Sequence, residues 1–147
     1  MPTSHNLQIF NTTELALPIS ENTAFKLLEA IQKGEEILFE SVEVAYVDEQ
    51  EIVRINKEFL SRDYITDIIS FRYDDDSYDN EGIEGTLYCC LPRIIEQADE
   101  FGEDKTTETY RILAHGLLHL CGYDDQTDSE KAKMTELENL YLSLILK

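Results

Sequence analysis

His115-Gly116-Leu117-Leu118-His119-Leu120-Cys121-Gly122-Tyr123-Asp124-Asp125 is the stretch whose reading decides this chain. Two histidines at i and i+4 on an apolar background lie on one face of a helix, one turn apart. Imidazoles so placed converge on a single ion, which is why the spacing recurs in helical zinc sites. Gly122 can adopt the positive φ that ends a helix and turns the chain back. Asp125 then returns as a third candidate ligand, because a carboxylate serves zinc and also harder divalent ions. Three protein ligands leave one coordination position open, as a catalytic site requires. A bare HxxxH pair is also what two buried, satisfied histidines present. The glycine and the third donor extend it to HxxxHxxGxxD, and His5 is the only other histidine in the chain.

Outward from this segment, the apolar spacing predicts a helix from about Thr107 to Cys121. Thr127 with Glu130 reads as a capping box opening a last helix, with Met134, Leu137, Leu140 and Leu144 among its apolar positions. Upstream, Pro92 suits a first helical turn. Ile68 to Tyr73 (IISFRY) and Ile83 to Leu91 (IEGTLYCCL) read as strands joined by an acidic loop, Asp74 to Gly82. Asp48 with Glu51 opens a helix to about Leu60, and Ile37 to Val47 reads as a strand with a bend. Ser20 caps a helix to about Gln32, with Gly34 expected just past its end at positive φ. Leu7 to Phe10 is a short strand. The expected fold is α+β, a small mixed sheet packed with helices, with the metal-binding helix in the C-terminal half. No repeat or linker divides the sequence, so residues 1–147 are expected to form a single domain.

The composition, 42% hydrophobic over 147 residues, is that of a folded globule. No apolar run approaches the roughly 20 residues of a membrane span, and Met1 to Phe10 has neither the basic nor the apolar part of a secretory signal. Cys89 and Cys90 are adjacent and Cys121 is the odd one out, so reduced thiols and a cytoplasmic location are expected. The formal net charge of −19 argues against non-specific binding of nucleic acid, which depends on neutralising phosphates. All five arginines (Arg54, Arg62, Arg72, Arg93, Arg111) nevertheless fall between residues 54 and 111. They read either as partners of neighbouring carboxylates or as a local basic surface on an acidic body.

The histidine spacing is also that of the metzincin proteases, but those place a general-base glutamate directly after the first histidine, where this chain has Gly116. The segment as a whole resembles the YbeY family of bacterial rRNA-maturation endoribonucleases. The family's H-G-x-L-H-L-x-G-Y-D-H appears here as HGLLHLCGYDD. Its T-D-V-L-S-F stretch appears as Thr66-Asp67-Ile68-Ile69-Ser70-Phe71, and Gly85-Thr86 stands where the family has a strand beginning near G-D. The resemblance covers nearly the whole chain. It implies a compact α+β fold, a zinc-like ion on His115, His119 and Asp125, and a role in maturing the 3′ end of small-subunit rRNA and in ribosome quality control. The implied partners are rRNA and the ribosome or a ribosomal protein, with no membrane. Three positions depart from the family pattern. Asp125 replaces the third histidine, making the site one charge more negative. Leu60 aligns with a common arginine, with Arg62 close by, and Thr86 stands where aspartate is common.

Phosphodiester hydrolysis needs an activated nucleophile and charge stabilisation at the phosphoryl oxygens. A divalent ion serves both needs, and an arginine can clamp the phosphate. Arg111, one turn before His115, and Arg62 and Arg72, which flank the Thr66-Asp67 motif, are the candidate catalytic arginines. For each, an ordinary ion pair is the alternative. Thr66, Asp67 and Ser70 are candidates to line the cleft, and Asp124 is either a supporting residue or part of the turn. The rival functions are a metal hydrolase acting on another substrate, such as a peptide, and a non-catalytic ribosome-assembly factor with a structural metal.

Overall fold

The computed structural model describes residues 6–73 and 82–146. The acidic loop predicted over 74–82 therefore lies outside the described residues, apart from its last position. Among the described residues the order is β1 (Leu7–Asn11), α1 (Glu21–Glu35), β2 (Phe39–Val47), α2 (Glu49–Leu60), β3 (Ile68–Tyr73), β4 (Ile83–Cys90), α3 (Leu91–Glu100), α4 (Lys105–Leu120) and α5 (Asp128–Ile145).

Short polar side chains start the helices by accepting from amides that no helical carbonyl can reach. Ser20 accepts from the Thr23 amide, Asp48 from Glu51 and Asp104 from Thr107. Thr127 and Glu130 form the expected reciprocal capping box. The cap at Asp104 explains why α4 begins two residues earlier than its apolar spacing suggests. Gly34 does not terminate α1. The helix runs through it to Glu35, and Glu36 takes the left-handed conformation at φ 57°. A Cβ on Gly34 would lie 2.2 Å from the Tyr141 hydroxyl oxygen, so this glycine admits α5 and makes no turn. On α5 the buried face is Met134, Leu137, Glu138, Tyr141 and Leu142. Leu140 and Leu144, two of the apolar positions read from the spacing, are each 49% exposed because they lie one stripe outside it.

The four strands form one sheet in the order β1-β2-β4-β3. β1 and β2, and β2 and β4, are parallel, while β3 is antiparallel to β4. The bend anticipated in the second strand is a register shift between Phe39 and Ser41. Alternation along β2 sends Val42, Val44 and Tyr46 to one face and Ala45 and Val47 to the other. The first face carries the main core with α1, α3, α4 and α5. The second is covered by α2 through Ile52 and Ile55.

α4 is fixed from both sides. Leu113, Ala114, Leu117 and Leu118 are fully buried, at roughly 1.5–3 kcal/mol for each buried leucine. A Cβ at Gly116 would lie 2.6 Å from Ile68 Cδ1 and 2.9 Å from Leu87 Cδ1. The helix therefore rests so closely on β3 and β4 that a side chain at position 116 would push aside the ends of Ile68 and Leu87. A metzincin-type glutamate there would have to displace those side chains.

Alanine is worth about 1 kcal/mol more than glycine inside a helix, whereas overpacking a core costs about 1–3 kcal/mol. Gly116→Ala is expected to lower the urea midpoint of the metal-free protein, the packing term winning. A raised midpoint would show that α4 can lift off the sheet at no cost.

Candidate metal centre and cleft

His115 and His119 leave the cleft-facing side of α4 half-buried, with their rings edge to face and centroids 4.6 Å apart. After Leu120 the helix stops, and Gly122 takes φ 108°, as the sequence predicts. The returning chain brings Asp125 Oδ2 to 3.3 Å from His115 Nε2 and 3.6 Å from His119 Nε2. The two Nε2 atoms are 3.1 Å apart. Ligand atoms about 2.0–2.1 Å from a tetrahedral ion stand about 3.3 Å from one another, so the triangle has the size such an ion imposes.

The outer nitrogens determine what this triangle is made of. His119 Nδ1 lies 2.9 Å from the Tyr123 carbonyl, and His115 Nδ1 lies 2.7 Å from Glu138 Oε2. Both partners are acceptors, so Nδ1 donates in each ring, and Nε2 is the atom each ring turns toward the triangle. Three electron-pair donors thus converge, and a shared proton or a cation is needed between them. The group can hold a metal ion. Among the described residues, no fourth histidine, cysteine or carboxylate joins it. Burial alone would lower the His115 pKa. The Glu138 hydrogen bond and the charges of Glu138, Asp125 and Asp67 outweigh burial and raise it, so the surroundings favour positive charge here.

The trio opens onto a cleft of about 420 Å³ lined by residues that include Leu60, Arg62, Tyr64, Thr66, Asp67, Ser70 and Arg72. Leu60 ends α2 and Ser61 takes the left-handed cap conformation, after which Arg62 reaches the same wall. Arg72 donates to the Leu120 carbonyl at 2.9 Å, anchoring the C-terminus of α4 to β3. Arg111 is not among the lining residues. It pairs with Glu138 Oε1 at 3.3 Å, which is the ion-pair alternative. Asp124 is exposed in the turn, Cys121 packs half-buried against the main core, and Thr86 is buried, bonded to the Tyr73 hydroxyl at 2.8 Å.

Several residues of this site are absent from the sequence reading. Glu138 is the most prominent. Its signal was a glutamate on the apolar face of α5. Asn56, 1% exposed, donates to the Tyr64 carbonyl at 2.9 Å and holds the cleft wall. Glu35 accepts from Tyr123 at 2.5 Å and also from Tyr141, tying the metal-side loop to α1 and α5. The Tyr123 hydroxyl is pushed up to about 12, first by that hydrogen bond and then by burial. Gln97 donates to Asp67 Oδ2 and Glu108 Oε2, both at 3.1 Å, steadying the Thr66-Asp67 strand entry.

The comparisons with known proteins agree with this architecture. Residues 8–145 match the family model for endoribonuclease YbeY. An endoribonuclease YbeY of Chlorobium limicola is 41% identical over 93% of this chain and 91% of its own length. That of Chlorobaculum tepidum is 38% identical over 92% and 95%. The solution structure of TM1509 from Thermotoga maritima aligns with a TM-score of 0.66 at 29% identity, over 95% of this chain and 88% of that one. This chain belongs to the YbeY endoribonuclease family, whose members are hydrolases acting on RNA.

Burial raises the Glu108 pKa, against the Gln97 hydrogen bond and the Arg111 charge, with Asp67 and Glu103 adding to the rise. A raised folded-state pKa contributes stability that is complete below the ordinary value of 4.5 and is lost as pH rises through the raised one. Glu108→Gln is therefore expected to have a higher urea midpoint than wild type at pH 7, with the advantage gone below pH 4.5. The opposite pH dependence would place Glu108 among the stabilising carboxylates.

Proposed function

We propose that residues 1–147 work as one metal-dependent, single-strand endoribonuclease domain in rRNA processing. Its task on this reading is maturation of the 3′ end of small-subunit rRNA, with a part in ribosome quality control. The observation that carries the reading is the convergence of three lone-pair donors beside an arginine-bearing cleft. Family membership supplies the reaction class.

His115, His119 and Asp125 are the residues assigned to hold the ion, and zinc suits two imidazoles and a carboxylate. When bound, zinc supplies Lewis acidity toward phosphoryl oxygens and acidifies water. Arg62 and Arg72 are assigned to the phosphate, where a guanidinium fork matches phosphoryl oxygens. Arg111, paired with Glu138 and outside the cleft lining, is assigned a supporting role. Asp125 in place of histidine adds a negative charge and favours a harder or more highly charged ion.

The charge of −19 shapes the encounter. Few cations face the phosphates, and the whole body repels free RNA. A ribosome or ribosomal protein that holds the substrate in place offsets that repulsion, and such partners put the work in the cytoplasm. No helix among the described residues is long and apolar enough to cross a membrane.

Elemental analysis of protein purified without added metal is expected to find one zinc per chain. Asp125→His is expected to retain it and Asp125→Ala to lose most of it. Zinc content unchanged in Asp125→Ala or in His115→Ala would remove the assignment.

Cleavage is the second test, with naked pre-rRNA and immature small subunits as substrates, at matched metal and varied salt, with and without chelator. The expected order is faster cleavage on the particles and abolition by chelator. A hydrogen bond to a charged group is worth about 1.5–3 kcal/mol, so Arg62→Ala/Arg72→Ala is expected to lose at least about tenfold. Equal rates on both substrates with no loss in the double variant would overturn the cleft and the assisted encounter. Chelator-sensitive cleavage of a peptide, with RNA untouched, would point to another hydrolase.

A further inference from the structure

We propose that Glu138 is a positioning residue for the metal centre, a carboxylate delivered from α5 that sets the tautomer, orientation and basicity of His115. This inference rests on the reading of His115 as a ligand.

Glu138 is 6% exposed on a helix face otherwise made of Met134, Leu137, Tyr141 and Leu142. A carboxylate there is costly unless it is paired and hydrogen-bonded, and its two oxygens are used separately. Oε2 lies 2.7 Å from His115 Nδ1, and Oε1 lies 3.3 Å from an Arg111 guanidinium nitrogen. Arg111 and His115 stand one turn apart on α4, so one carboxylate spans both. The guanidinium keeps it from swinging away from the ring. Because an ionised carboxylate only accepts, Nδ1 must donate, and the lone pair is committed to Nε2. That atom faces His119 Nε2 at 3.1 Å and Asp125 Oδ2 at 3.3 Å.

The second histidine is supported differently. His119 Nδ1 donates to a neutral backbone carbonyl, that of Tyr123, in the turn that follows its own helix. Among the described residues, His115 alone of the two has a charged brace from another helix. An anionic partner on a ligating imidazole raises its donor strength and holds its plane, and losing such a partner typically costs 10–100-fold in metal affinity. A glutamate serving only as an ion pair for Arg111 would need neither the 2.7 Å contact nor its direction into the ring.

The test uses the full chain, stripped of metal and refilled, as wild type, Glu138→Gln and Glu138→Ala. Zinc dissociation constants are measured by competition with a chromophoric chelator. The visible absorption spectrum of the cobalt(II)-loaded protein reports ligand geometry, and urea unfolding of the metal-free forms reports packing. Glu138→Gln, which keeps shape and an acceptor but loses charge, is expected to weaken zinc about tenfold with little change in metal-free midpoint. Glu138→Ala is expected to weaken it up to about 100-fold and to shift the cobalt bands. Wild-type zinc affinity within twofold in both variants, with an unchanged cobalt spectrum, would overturn the proposal whatever happens to stability. If Glu138→Ala does not fold, the isosteric variant decides by the same criterion. A wild type that binds neither zinc nor cobalt would overturn the metal reading itself. A wild type that binds both, beside unaltered variants, would overturn only the role of Glu138.

Discussion

The seating of α4 on the sheet is the constraint on which the rest of the structure depends. Gly116 lies against the side-chain ends of Ile68 and Leu87, closer than a Cβ would normally stand, while Leu113, Leu117 and Leu118 are sealed into the main core. With that face packed, the remaining face carries His115 and His119 to the cleft. β3 completes the arrangement, because Arg72 on that strand grips the Leu120 carbonyl at the helix end and also lines the cleft. The packing that stabilises the fold is therefore the same packing that orients the imidazoles.

α5 has a second function beyond covering the core. Glu138 reaches His115, and three residues on, Tyr141 reaches Glu35, which also holds Tyr123. Each histidine is thus supported through α5, one directly and the other through the turn whose carbonyl it binds. Gly34 belongs to the same device, since the Tyr141 ring occupies the space its side chain would fill. The glycine inside α1, otherwise a defect in a helix, permits the approach that steadies the turn.

Charge is distributed on two scales. The body is strongly acidic, and within the site Asp125, Glu138 and Asp67 all raise the His115 pKa against its burial. A site that pulls a proton onto an imidazole also attracts a cation. The Asp125 carboxylate contributes to that pull. Arg62 and Arg72 line the same cleft and add positive charge to it.

The sequence by itself determined what depends on local geometry. Helical spacing put His115 and His119 on one face, Gly122 had to turn the chain, and Ser20, Asp48 and Thr127 marked helix starts through the amides they accept from. The same turn returned Asp125 as the third candidate donor. Only the tertiary structure decided what depends on neighbours distant in the chain. Gly34 became a packing residue because α5 crosses it, and Leu140 and Leu144 faced outward because α1 and α4 select a different stripe of α5. Arg111 looks like a phosphate ligand when only α4 is considered, one turn from His115. Glu138, 27 residues further along, claims it. Periodicity records which residues share a face of one element. It carries no information on which face of another element will meet them, and the supporting half of this site is built from those meetings.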